Sequence, residues 1–343
     1  MPLWWPFPVA LAFVGAALLT PLVARLATRF GIIDAPNAER KIHRTPTPLL
    51  GGMAVFLAFA VPTVLVTLFS NALTGGEIGA SQIFGFLLGG LILMIGGYID
   101  DRYNLPPKWS FLFPLAASLV ATFLGIGVEK VTNPLGGFVF LPSIISTAFT
   151  FVWLLTMTYT TKLLDGVDGL AGSISLIGAL MIAALALTEK YYQPDVVLLS
   201  LFFVAAIGGF LLWNFYPARI FLGEGGSTFL GFTLGTLAVI AGSKVATLLL
   251  VLGIPAIDVV TVMIRRLIER RPVFSGDRYH LHHLLLDNGL SERQVVFVYS
   301  SLCFLFGLST LVFSSAEKII ALVVLTIGIL GGIFFLERRK KRL

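Results

Sequence analysis

Apolar residues in this chain come in unbroken runs. Nearly every position is hydrophobic or small along 5–28, 50–70, 82–99, 110–127, 141–161 and 168–188. The same holds for 196–213, 227–243, 246–264, 295–314 and 318–336. A helix that is apolar all round must be buried or lipid-embedded, and about 20 such residues cross ~30 Å of hydrocarbon. The pattern predicts an all-α polytopic membrane protein with about eleven transmembrane helices. The polar connections are short, the longest being 29–48 and 265–294, so 1–343 reads as a single integral-membrane domain. No internal repeat of the kind found in transporters built from duplicated halves is visible.

Composition agrees. The 343 residues are 57% hydrophobic and 12% charged, about half the charge of an average soluble domain. Because connections alternate sides, the cations can be counted face by face. Twenty fall on one face, and the other holds only Lys130, Lys190, Lys244 and Lys318. Lys and Arg concentrate in cytoplasmic loops. The N-terminus is therefore expected outside, the C-terminus in the cytoplasm, and the loops near 29–48, 100–109, 162–168, 214–226 and 265–294 on the cytoplasmic side of the cell membrane. Met1–Pro8 carries Trp4 and Trp5 but no cation, which suggests an interfacial aromatic anchor in place of a cleaved signal. The tail from Glu337 to Leu343 suits snorkelling to anionic headgroups. Cys303, alone in an apolar run, reads as a packed side chain. No nucleic-acid partner is expected.

Against this background the acids and histidines stand out, since ionisable groups in membrane segments are costly and usually functional. Asp100 and Asp101 close the third run, where two carboxylates oppose the helix dipole. Either Arg102 or Lys108 compensates them structurally, or they serve as a base or metal-anchoring pair. Asp165 and Asp168, set among Gly166, Gly169 and Gly172, would share one face of a helical turn at the start of the sixth run. Glu224 lies in a Gly-rich turn that could offer backbone N–H groups to phosphate while the carboxylate holds Mg²⁺, although Ser227 there could simply cap a helix. Arg278 with His280, His282 and His283 suits a diphosphate better than zinc, because no thiolate accompanies them. Asp258 could pair with Arg265, seven residues on. Lys41 and His43 sit in a basic loop fit for solvent or phosphate.

Taken together, these motifs resemble the polyprenyl-phosphate N-acetylhexosamine-1-phosphate transferases. The matching pieces are Asp34 to Asn37, Arg40 to His43, Gly51-Gly52, Asp100-Asp101, Asp165 to Gly172, Asn214 to Pro217, Leu222 to Gly231 and Asp277 to Gly289. The histidine loop is most similar to the WecA/TagO branch, which uses UDP-N-acetylglucosamine. The resemblance implies attack of a polyprenyl phosphate on a UDP-sugar, giving polyprenyl-diphosphate-sugar and UMP in the first membrane step of an envelope glycan. It implies Mg²⁺, with Mn²⁺ as a substitute, held by Glu224 and Asp165. Asp100, Asp101, Asp165 and Asp168 become catalytic candidates. Lys41, His43, Lys162, Asn214, Arg278, His280, His282 and His283 become substrate-binding candidates. Two departures stand out: the family usually carries Asn at Lys162 and Asp at Glu224.

Two other classes share some of these features. An intramembrane prenyltransferase also pairs acids with Mg²⁺ and a diphosphate, and a transporter would line a path with Asp and His at mid-membrane depth. The membrane lipids are partners in every case. Small residues such as Gly85, Gly89, Gly231 and Gly235 offer close helix contacts within one protomer or across a homodimer.

Overall fold

The computed structural model describes residues 3–36, 45–133, 137–242, 244–270 and 279–340. Lys41, His43 and Arg278 lie outside these residues. Each of the eleven apolar runs is helical. In chain order the first helices are α1 (Pro6–Arg29), α2 (Gly51–Phe69), α3 (Ala80–Tyr103), α4 (Pro107–Ser110), α5 (Leu112–Phe123), α6 (Ser143–Leu164) and α7 (Leu170–Ala186). Then come α8 (Pro194–Asn214), α9 (Gly223–Ile240), α10 (Val245–Val251), α11 (Gly253–Ile268), α12 (Leu281–Asp287), α13 (Glu292–Val312) and α14 (Ser315–Lys340).

Among the described residues, seven helices are long and apolar enough to cross a membrane, or eight if a bent pair is one span. The expected run 110–127 is divided between the four-residue α4 and the 12-residue α5. The run 246–264 is broken into α10 and α11, which meet at 79°. Gly253 and Pro255 open α11. Proline has no N–H to donate and crowds the carbonyl four residues back, so one straight helix cannot run through it. Two antiparallel hairpins also form, β1 (Ile33–Asp34) with β2 (Thr47–Pro48) and β3 (Lys130–Thr132) with β4 (Phe138–Phe140). Their strands are too short to leave a period in the sequence. Trp5 is buried at 5% exposure, so Trp4 alone of the pair is free to sit at an interface.

At the centre stands α9, buried at every residue from Gly225 to Ile240. Its phenylalanines meet those of α2, α3 and α8: Phe229 lies 5.4 Å from Phe56 and 6.1 Å from both Phe59 and Phe203, ring to ring. Glycine sets how closely the backbones approach. A Cβ at Gly52 would lie 2.0 Å from Gly226 Cα, and one at Gly97 would lie 2.1 Å from Gly225 N. The first turn of α9 is thus clamped between the start of α2 and the end of α3. Gly231 comes as close to the Met157 carbonyl of α6, at 2.1 Å from an added Cβ.

The bundle has two distinct ends. Arg102 of α3 donates to the Phe30 carbonyl, and Arg265 of α11 pairs with Glu337 of α14. The ends of α1, α3, α11 and α14 therefore lie with the start of α9 at one end. α1 and α14 begin at the other.

Candidate active site

At the first of these ends, a cavity of about 1470 Å³ opens among α3, α6, α9, α11, α12 and the start of α13. It is bordered by Asp100, Asp101, Asp165, Asp168 and Glu224, acids drawn from three separate stretches of sequence. Lys162, Asn214, His280, His282 and His283 also border it.

The adjacent pair on α3 divides its work. Asp101 accepts the Glu224 backbone N–H at 3.0 and 3.2 Å. Asp101 thereby meets the positive end of α9. Arg102, one expected compensator, faces the Phe30 carbonyl instead, and the other, Lys108, lies over the Trp109 ring at 5.8 Å. Asp100 accepts the Leu105 N–H at 3.0 Å, beyond the left-handed Asn104 that ends the helix. Only Gly fits comfortably at 223, where φ is +74° and an added Cβ would lie 2.3 Å from Asp101 Oδ2.

Glu224, in the first turn of α9, receives Lys162 Nζ at 2.5 Å and Ser110 Oγ at 3.3 Å on the same oxygen, Oε1. The two departures from the family pattern are therefore partners. The glycines around Glu224 do not form a phosphate cradle: Gly225 and Gly226 are pressed against Gly97 and Gly52, and the Glu224 N–H is taken by Asp101. Ser227 is no helix cap either. It lies inside α9 with Oγ donating to the Gly223 carbonyl at 3.0 Å.

Asp165 and Asp168 are not on a helical turn. Asp165 caps the end of α6 and Asp168 lies in the bend before α7, which starts at Leu170. The glycines that allow close approach also keep helix from forming there. Asp168 accepts the Ala218 N–H at 2.8 Å. Burial, reinforced by Asp168 and Glu224, pushes the Asp165 carboxyl up to about 7. Asn214 fastens this bend: its Oδ1 accepts from Gly169 N at 3.2 Å and its Nδ2 donates to the Ile220 carbonyl at 2.9 Å.

The histidines form a stacked row. His280 Nδ1 lies 2.9 Å from Asp258 Oδ2, and Asp258 Oδ1 accepts the Leu281 N–H at 2.8 Å. Asp258 therefore does not pair with Arg265, which reaches Glu269 at 3.1 Å. A buried carboxylate takes whichever donor the tertiary fold delivers, and the start of α12 is nearer than the next turns of its own helix. His282 stacks on His280 at 5.5 Å and meets His283 at 4.3 Å. Gly166 leaves room for it, since a Cβ there would lie 2.6 Å from His282 Nε2. Burial, then His283 and His280, lowers the His282 imidazole well below its ordinary value, so it is neutral near pH 7.

Sequence reasoning did not single out Arg266, Tyr159, Ser110 and Glu292, which also border the cavity. Arg266 was submerged in a basic run, yet it is buried at 3% exposure. An arginine on the inner face of amphipathic α11 was the available signal.

Carboxylate oxygens are suitable donors for Mg²⁺, which keeps several waters and needs only one or two carboxylates beside substrate phosphates. Among the described residues no three such groups converge into a ready-made cage. The donor set thus fits a hard cation shared with a phosphorylated ligand better than a closed structural site.

A bundle of apolar helices with an acid-lined cavity at one end defines a polytopic membrane protein with an enzyme-like site. Residues 83–242 match the model of glycosyl transferase family 4. The chain is 31% identical to a Bacillus subtilis protein named as a probable undecaprenyl-phosphate N-acetylglucosaminyl 1-phosphate transferase, covering 94% of this chain and 89% of the relative. It is 32% identical to the decaprenyl-phosphate N-acetylglucosaminephosphotransferase of Mycobacterium tuberculosis, over 84% of this chain and 78% of that one. For the Escherichia coli undecaprenyl-phosphate alpha-N-acetylglucosaminyl 1-phosphate transferase the identity is 27%, over 82% and 76%. The chain belongs to the polyprenyl-phosphate N-acetylhexosamine-1-phosphate transferase family.

Proposed function

We propose that the protein transfers N-acetylglucosamine-1-phosphate from UDP-N-acetylglucosamine to an undecaprenyl-type phosphate at the cytoplasmic face of the cell membrane. An oxygen of the lipid phosphate attacks the β-phosphorus. The bond from that phosphorus to the α–β bridging oxygen breaks, and UMP leaves with the oxygen. The observation that carries this reading is the meeting of Asp100, Asp165, Asp168, Glu224 and Lys162 around one cavity at the ends of apolar helices. A water-borne donor and a lipid acceptor can meet only at such a boundary.

Two anionic reactants must be brought together, and each residue has a task in that. Asp100 orients the lipid phosphate, which is largely ionised near neutral pH and needs little help to lose a proton. Asp101 holds the first turn of α9, and so Glu224, in register. Glu224 and Asp165 would hold Mg²⁺, with Mn²⁺ as a substitute, which when bound offsets phosphate charge and polarises the phosphoryl oxygens. Lys162, held beside Glu224 at 2.5 Å, is placed to offer its charge to the diphosphate. Asp168 and Asn214 shape the bend that carries Asp165. The imidazoles of His280, His282 and His283 face donor oxygens, with Asp258 fixing the ring of His280. Lys41, His43 and Arg278 supply further phosphate contacts.

The cavity continues between α6 and α11 along Leu155, Val259, Val260 and Met263, an apolar furrow suited to the first isoprene units. With the loops of the cavity end in the cytoplasm, the N-terminus lies outside and the chain crosses about eleven times. Gly85 and Gly89 are taken up by Leu124 and Phe232 within the protomer, so a homodimer would need other surfaces. Acids at helix ends also suit a transferase better than a permeation path, which needs them at mid-depth.

Purified protein, radiolabelled UDP-N-acetylglucosamine, undecaprenyl phosphate and Mg²⁺ test the proposal. It expects label in the lipid and one UMP released per label transferred. Intact protein that moves no label from any UDP-sugar would contradict it.

A further inference from the structure

The four cations that depart from the charge bias of the loops meet at the end of the bundle away from the cavity. Lys190 belongs to the single turn Glu189–Tyr191, Lys244 precedes α10, and Lys318 lies in the first turns of α14. The ammonium of Lys244 sits 3.5 Å from the centre of the Tyr191 ring, and that of Lys190 lies 5.2 Å from the same centre. Lys318, buried at 9% exposure, donates to Thr247 Oγ1 at 3.4 Å, one helical turn beyond Lys244. Lys130 enters from β3 and stands over Phe138 at 5.2 Å.

Glu77, Glu129, Glu189, Asp195 and Glu317 share this side with the lysines, but none reaches a lysine within ion-pair distance among the described residues. Glu77 is the acid that acts on Lys244, and one of its oxygens is engaged by Gln193 Nε2 at 2.8 Å. Asp195, nearby in sequence to Gln193, spends its carboxylate on the N–H groups of Glu77, Ile78 and Val196. No Lys–carboxylate contact within ion-pair distance forms at this end among the described residues. A half-buried cation with no carboxylate in contact is disfavoured: burial, and then the nearness of Lys318, lowers the Lys244 amine to about 8. The aromatic face of Tyr191 offsets part of this cost.

We propose that Lys244, Lys318 and Lys190, with Tyr191 as their floor, form a binding site for a phosphate-bearing anion on the face opposite the cavity. The cluster lies where apolar α14 begins, beside exposed Ile319 and Ile320, so a phospholipid headgroup and a free phosphate both present the chemistry it recognises. The site is separate from the transfer reaction and does not depend on the function proposed above.

Full-length protein, stripped of lipid in neutral detergent, is titrated with phosphatidylglycerol, with phosphatidylcholine and with inorganic phosphate, and binding is followed by native mass spectrometry and thermal shift. In parallel, acylation of Lys244 by an amine-reactive ester is measured at pH 8 with and without each ligand. Wild-type protein should bind phosphatidylglycerol or phosphate, and either ligand should slow acylation of Lys244. The double variant K244Q/K318Q should bind at least about tenfold more weakly, whereas R29Q, an exposed charge at the other end, should bind as wild type does. Phosphatidylglycerol acting where phosphate does not would identify the lipid as the source, and phosphate competing equally would identify the free anion. Equal binding by K244Q/K318Q and wild type would overturn the proposal. So would acylation of wild-type Lys244 that no ligand slows, a readout that needs no variant to fold.

Discussion

Two clusters at opposite ends of this bundle gather side chains of opposite charge, acids around the cavity and lysines around Tyr191. At the cavity end, seven carboxylates face Lys108, Lys162 and Arg266. At the far end, Lys190 and Lys244 crowd one tyrosine, and Glu77 is the acid that acts on Lys244. The cavity end meets part of its imbalance internally, through Lys162 on Glu224 and Asp101 on the start of α9. The far end has an aromatic ring and a hydroxyl. Where the charge is met by chain groups in a large open cavity, those groups can be exchanged for a ligand. Where it is met by a ring and a hydroxyl, with no carboxylate in contact among the described residues, an anion can be added.

This contrast can be attacked at several points. The largest effect is expected at Glu224. E224Q keeps the shape and removes the charge that anchors both Lys162 and the cation, so kcat for lipid transfer should fall roughly 10²–10³-fold. A variant within threefold of wild type would remove Glu224 from the chemistry. Next comes G97A, which forces a methyl group against the Gly225 backbone at 2.1 Å. It should lower stability in detergent by ~3 kcal/mol and abolish activity through the displaced start of α9. An unchanged melting temperature would show that the clamp is loose.

A smaller effect should appear with pH. The folded-state value of Asp165 is about 7, above the ordinary 3.8. Its contribution to stability is therefore full below pH ~4 and is lost as pH rises through ~7, by about 2 kcal/mol for a half-buried group. Metal-free protein should melt progressively lower across that window, and D165N should flatten the slope. Equal slopes for the two proteins would mean that Asp165 contributes nothing to the slope. Smallest is D258N, which weakens the hold on His280. KM for the UDP-sugar should rise about tenfold with kcat little changed. A pure kcat effect would place the histidines at the reacting phosphorus instead.

Much of the architecture was legible in the sequence, because lipid exposure demands long apolar runs and each such run is helical, although two of them are divided between two helices. The break between α10 and α11 was also written there, in Gly253 and Pro255, but the apolar run passes through it and hides it. Asp100 and Asp101 were separable, since adjacent helical side chains diverge, and they do hold different partners, Leu105 and Glu224. What local spacing could not supply was tertiary choice. Asp258 had a helix-face partner in Arg265 and took His280, 22 residues away. The glycines around Glu224 looked like a phosphate cradle and proved to be contact points with α2 and α3, because an N–H already bound and a backbone already packed are invisible in one dimension. The pairing of Lys162 with Glu224, 62 residues apart, belongs to the same category.

In the proposed reaction the acid-lined cavity would hold a divalent cation together with the diphosphate of the donor. Electron paramagnetic resonance of Mn²⁺ added to purified protein tests it most directly, read with UDP-N-acetylglucosamine and for wild type beside E224Q. Wild type should show bound Mn²⁺ coupled to donor ³¹P, and E224Q should lose that signal. Bound Mn²⁺ with unchanged ³¹P coupling in E224Q would contradict it.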